Sequence, residues 1–148
     1  MPQPSVAQPV ATPDDQPTAP SGADVSRVNP SAGISGAVSI AEHRVGRRAV
    51  LAVAGEVDIC TADDLRAAIE TAATRVFEIW LDLSETTFMD SSGLHAMAQA
   101  RTRLADANLR LVLICPEGPV LRVITLTGFD RLFEIHASRS AANYAAGA

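Results

Sequence analysis

Short apolar runs alternate with amphipathic segments along most of this chain, and that alternation is the strongest constraint on its fold. Val38–Arg44 and Ala49–Ala54 read as two strands joined by a turn at Gly46-Arg47. Gly55-Glu56-Val57-Asp58 closes the second strand. Thr61-Ala62-Asp63-Asp64 then has the form of a capping box. The helix it opens carries Leu65, Ala68, Ile69 and Ala72 on one apolar face. Glu78–Leu83 reads as a third strand, with Ile79, Leu81 and Leu83 facing one way. A loop over 84–90 leads to a helix running to about Ala107, with Leu94, Met97, Ala98 and Ala105 toward the core and Asn108 as its stop. Arg110–Cys115 is a fourth strand. Pro119 starts a helix that Gly128 ends, Leu132–His136 is a fifth strand, and Ser138 caps a last helix. The order is β-β-α-β-α-β-α-β-α. Strands alternating with helices predict a largely parallel sheet covered by helices, and the opening hairpin adds an antiparallel pair.

The first 35 residues break this pattern. Seven of the nine prolines fall within the first 30 positions, among Ala, Ser, Gln, Thr and Asp. Such a stretch has little to bury against the entropy of ordering, so residues 1–35 are expected to be a disordered tail and 36–148 a single domain. The tail holds one arginine and three aspartates of a chain whose net charge is −5. That balance argues against a nucleic-acid-binding footprint.

All 12 basic residues are arginine. The absence of lysine excludes Schiff-base chemistry, the P-loop phosphate lysine and the lysine of phospho-receiver domains. Cys60 and Cys115 are too few for a disulfide scaffold and are expected to be reduced and buried. His43, His95 and His136 form no zinc pattern. The apolar runs are too short to span a bilayer, and no signal peptide is evident, so a cytoplasmic location is expected.

The sharpest local feature is Asp90-Ser91-Ser92-Gly93 between a strand and a helix. On the simplest reading one serine caps the helix and the other is an exposed bystander. On the functional reading the second hydroxyl is modified or bound, since a helix N-terminus accommodates negative charge. A hydrolase elbow would need G-x-S-x-G, and the first glycine is missing. Asp58, Asp82 and Asp90 are expected near one another at strand ends. Trp80 and Phe88 read as core or edge packing, and Arg44, Arg47 and Arg48 as a solvated turn.

Asp82-Leu83-Ser84 followed by Phe88-Met89-Asp90-Ser91-Ser92-Gly93-Leu94 resembles the signature of the STAS-domain anti-sigma factor antagonists (anti-anti-sigma factors). Gly55-Glu56-Val57-Asp58 with Thr61-Ala62, and the segment from Pro119 to Phe133, resemble two further family segments. The likeness runs from about Gly36 to Tyr144. It implies a four- to five-stranded mixed sheet flanked by four helices, with no enzymatic activity and no cofactor. It also implies reversible phosphorylation at Ser91, with Ser92 as the cap. The implied partner is an anti-sigma factor acting as serine kinase, with a phosphatase as a second candidate and no nucleic acid or membrane. The free protein is expected to be a monomer. The implied docking residues are Asp58, Thr61, Asp90, Ser91, Ser92, Gly93 and His95. Ile59, Cys60 and His95 depart from the residue types usual at their positions and could set partner choice.

Overall fold

In a computed structural model of the chain, residues 24–28 and 38–147 are described. The elements are β1 (Asp24–Val28), β2 (Val38–Val45), β3 (Arg48–Val57), α1 (Ala62–Ala72), β4 (Glu78–Met89) and α2 (Ser91–Asp106). They continue with β5 (Arg110–Ile114), α3 (Pro119–Leu126), a 3-10 turn (Phe129–Leu132), β6 (Glu134–His136) and α4 (Arg139–Gly147). From β2 onward this is the order predicted. β1 is a correction. It lies inside the expected tail, yet its backbone pairs antiparallel with β2, Asp24 opposite Arg44 and Val28 opposite Ile40. Its five residues, Asp-Val-Ser-Arg-Val, hold two β-branched valines but do not alternate, because Ser26 and Arg27 are adjacent, so the strand signal is weak. The rest of the predicted tail lies outside the described residues.

The strands form one six-stranded mixed sheet in simple sequential order, β1 to β6. β2 and β3 are antiparallel, turning through Gly46, whose φ of 61° suits glycine. β3/β4, β4/β5 and β5/β6 are parallel. Each parallel step moves the same way across the sheet, and α1, α2 and α3 all pack on the same face, as crossovers of a single hand require. Leu51, Val53, Ile79, Leu81 and Leu113 from the strands meet Leu65, Ile69, Leu94, Met97 and Ile124 from the helices in this main core. In α1 the predicted face is the buried one. In α2, Ala105 is exposed instead, and Ala100 and Leu104 complete the face.

A smaller cluster of Val50, Trp80, Val112 and Ile114 lies on the opposite face under Ala142 of α4. Trp80 is therefore core, as expected. Arg48 is not simply solvated: its guanidinium sits 3.8 Å from the Trp80 ring centre and 3.1 Å from Glu78. Ser138 Oγ accepts from the Ala141 amide at 3.0 Å, capping α4 as predicted.

Asp82 belongs to this second face. Its carboxylate accepts from the Ser84 amide at 2.9 Å and from Arg139 Nε at 2.6 Å, tying β4 to the start of α4. Burial pushes this carboxyl up, but the hydrogen bonds from Ser84 and the Arg139 guanidinium outweigh that, so it titrates below the usual carboxylate range. A lowered folded-state value stabilises the fold above the unfolded Asp value of about 4, and the gain is lost as pH falls through the lowered value. Arg139→Gln is therefore expected to cost about 1 kcal/mol at pH 7, a modest figure because Arg139 is half exposed. The wild-type advantage should shrink as pH falls below about 4. Urea midpoints of both proteins at pH 7 and pH 3 check this, and an unchanged difference would contradict it.

Candidate functional site

The conspicuous motif sits where β3 and β4 end side by side. The two strands run parallel to a last pair, Val57 and Met89, and beyond it the Asp90 amide donates to the Val57 carbonyl at 3.2 Å. This stitches the β3–α1 loop to the start of α2. β4 reaches this point because it is twice the predicted length. The loop expected over 84–89 is strand, with Thr86 Oγ1 donating to Val53 O at 2.8 Å and Thr87 Oγ1 to Gly55 O at 3.2 Å. Threonines bonding to a neighbouring strand's carbonyls extend the sheet through two register shifts in the β3/β4 ladder.

The helix cap differs from expectation. Asp90, in extended conformation, is the N-cap of α2. Its Oδ1 accepts from the Ser92 amide at 2.8 Å and the Gly93 amide at 3.4 Å. A carboxylate is as good a cap as a hydroxyl and adds favourable charge at the positive helix end. Ser92 therefore does not cap; it lies half-buried in the first turn. Ser91 is the first helical residue, and it is exposed. Its hydroxyl has no capping duty to perform.

Gly93 is buried against both strands. A Cβ there would stand 2.7 Å from Met89 Cγ and 2.8 Å from Val57 Cγ1, so only glycine lets α2 begin this close to the sheet. On the other side of the junction, Asp58 and Thr61 build the β3–α1 loop. Asp58 Oδ1 accepts from the Cys60 amide at 2.9 Å; Thr61 Oγ1 accepts from the Asp58 amide at 3.0 Å and donates to Glu56 O at 2.9 Å. Thr61 makes no side-chain cap to α1, so the predicted capping box does not form; its hydroxyl is spent on the loop behind it. Thr61 is 1% exposed. Thr61 and Gly93 thus shape the face from beneath and present no side chain to a docking molecule.

The surface of the junction carries Ser91 and the half-buried carboxylates Asp58 and Asp90. Ile59 on the loop is 78% exposed, and Phe88, expected as packing, is 47% exposed. His95, one turn along α2, is exposed and meets Phe129 edge-on, with ring centres 5.9 Å apart and planes at 83°. Cys60 is exposed, against expectation, while Cys115 is buried; its thiol is pushed up to about 11 by burial and by the Asp82 charge. Asp82 does not join the acidic pair. It lies seven positions before the end of β4, roughly 20 Å from it at about 3.3 Å per residue, with Arg139 as its partner. The exposure of Ile59 and Phe88 and the Phe129 contact escaped the sequence reading. An isoleucine directly after an acidic turn was the available signal for the first.

Among the described residues, no group of three His, Cys, Asp or Glu side chains is placed to hold a metal ion, and no helix is long and apolar enough to cross a membrane. The junction is a corner that carries the exposed Ser91, the half-buried Asp58 and Asp90, and the exposed apolar side chains of Ile59 and Phe88.

Comparison with known proteins gives the same picture. The STAS domain family model matches residues 39–142. The anti-sigma-B factor antagonist of Listeria monocytogenes is 32% identical over 84 residues, covering 56% of this chain and 74% of that protein. The crystal structure of an anti-sigma factor antagonist from Mycobacterium paratuberculosis superposes with a TM-score of 0.68 at 25% identity, over 74% of this chain and 93% of that one. The anti-sigma factor antagonist SpoIIAA in its unphosphorylated form gives 0.61 at 25% identity, over 74% and 97%. With the strand order, the helix arrangement and the Asp-Ser-Ser-Gly corner all in place, the chain belongs to the STAS-domain family of anti-sigma factor antagonists.

Proposed function

We propose that this protein binds a cognate anti-sigma factor through the corner around Ser91 while that serine is free, and releases it when Ser91 is phosphorylated. The observation that carries the reading is the division of labour at the start of α2. Asp90 caps the helix, so the adjacent Ser91 hydroxyl is exposed and can be modified without uncapping it. The names of the Listeria and SpoIIAA relatives support the anti-sigma factor as partner. SpoIIAA is a protein whose solved structure is specified as unphosphorylated, which supports carrying the phosphorylation switch to this chain.

In this reading the chain acts by binding rather than turnover. The anti-sigma factor is the kinase and brings ATP and Mg²⁺. The bond between Ser91 Oγ and the γ-phosphorus forms, the bond to the β-phosphate oxygen breaks, ADP leaves, and the hydroxyl proton passes to a base of the kinase. A phosphatase would reset the serine. The modification adds about −1.5 to −2 charges beside Asp58 and Asp90, so a face that docks when nearly neutral at Ser91 would present concentrated negative charge.

The test is to incubate the protein with its anti-sigma factor and ATP, then locate phosphate by mass spectrometry. A single phosphate on Ser91 is the expected result. Labelling only at Ser92 or elsewhere, or no labelling, refutes the switch.

A further inference from the structure

Docking alone does not account for the placement of His95. It stands four residues after Ser91 on α2, and both side chains are exposed. Residues at that spacing share a helix face with Cβ atoms about 5–6 Å apart. Helical side chains lean toward the N-terminus, so the imidazole is within reach of the turn that opens with Ser91. Among the described residues, the one ring or polar contact of its side chain is the edge-on packing against Phe129.

We propose that His95 is the intramolecular partner of the phosphate on Ser91: when that serine is modified, the imidazole leaves Phe129 and hydrogen-bonds the phosphate. The proposal rests on Ser91 being the phosphoacceptor. An edge-on contact between the exposed His95 and the half-buried Phe129 is weak beside a charge-assisted hydrogen bond to a dianion within one turn. Other charged groups at the corner are Asp58 and Asp90. Asp130 and Arg131 lie in the turn that carries Phe129, and they offset one another. The acids are present in both states, whereas the phosphate adds its charge on the helix face that Ser91 shares with His95. The movement would also uncover the Phe129 ring edge, so modification would change the docking face in shape as well as in charge.

The test uses the full chain with phosphoserine installed at position 91 during synthesis, so that no kinase is needed. The phosphate resonance is followed by ³¹P NMR against pH in the wild type and in His95→Gln. A phosphoserine ordinarily takes its second charge near pH 6. A neighbouring imidazolium favours the dianion, so the wild-type midpoint should lie at least about half a pH unit below that of His95→Gln. The His95 ring protons should also shift between unmodified and phosphorylated wild type as they leave the Phe129 ring. Equal midpoints in the two proteins, or unmoved ring protons, overturn the proposal. Neither readout depends on a kinase, so this inference and the switch itself fail separately.

Discussion

Ser91→Glu is expected to weaken binding to the cognate anti-sigma factor about a hundredfold, while Ser91→Ala should stay within a few-fold of wild type. The reasoning is electrostatic. A third carboxylate would join Asp58 and Asp90 on one corner, and both of those are half-buried, where solvent screens less than at an open surface. Like charges brought together in an interface cost several kcal/mol, and about 2.8 kcal/mol corresponds to the hundredfold loss. Glutamate carries less charge than a phosphate, so the phosphorylated protein should bind more weakly still. The hydroxyl itself caps nothing, so removing it in Ser91→Ala should change stability by no more than about 0.5 kcal/mol. Titration calorimetry on purified partners, with matched thermal melts, reads both effects. Equal dissociation constants for the two variants would remove the electrostatic basis of the switch.

Gly93→Val is expected to have the largest effect on stability, a loss of about 3 kcal/mol. The new Cβ would fall well inside contact distance of Met89 Cγ and Val57 Cγ1. Neither atom is the free end of a flexible chain: Met89 Cγ is mid-side-chain, and Val57 is stiff at its branched carbon. Relief therefore requires α2 to move away from the sheet, which strains the Asp90 to Val57 bond as well. Gly93→Ala brings the same Cβ but recovers about 1 kcal/mol of helix propensity, so its net cost should be smaller. Guanidinium denaturation of the two variants measures the ordering. A valine variant as stable as wild type would show that the corner is looser than its distances imply.

The two substitutions separate the roles of neighbouring residues. Ser91 faces outward and should alter recognition without altering the fold, whereas Gly93, two positions on, should alter the fold first. The sequence reading placed both in the docking set because they are contiguous in one motif. Burial distinguishes them, and burial at the first turn of a helix depends on which strand ends it meets. The same holds for Thr61, whose hydroxyl matched a capping pattern but bonds backward to Glu56 and Asp58.

Many local signals read correctly where the deciding interactions are close in the chain, although the expected caps at Thr61 and Ser92 did not form. The alternation of apolar runs, the Gly46 turn, the apolar face of α1, Asn108 and Gly128 as helix stops in left-handed conformation, and Ser138 as a cap are all of this kind. Each is a matter of periodicity or of backbone freedom within a few residues. What the sequence by itself determined was therefore the order of elements, the mixed sheet with its opening hairpin, and the position of Ser91 at the start of a helix. The tertiary structure alone decided the rest. It extended β4 to Met89 by pairing with β3, added β1 by pairing with β2, and sent Asp82 to Arg139 on the far face instead of to Asp90. It also set His95 against Phe129 and left Ile59 and Phe88 uncovered. These outcomes follow from hydrogen bonds and contacts between residues many positions apart, whose partners no local pattern names.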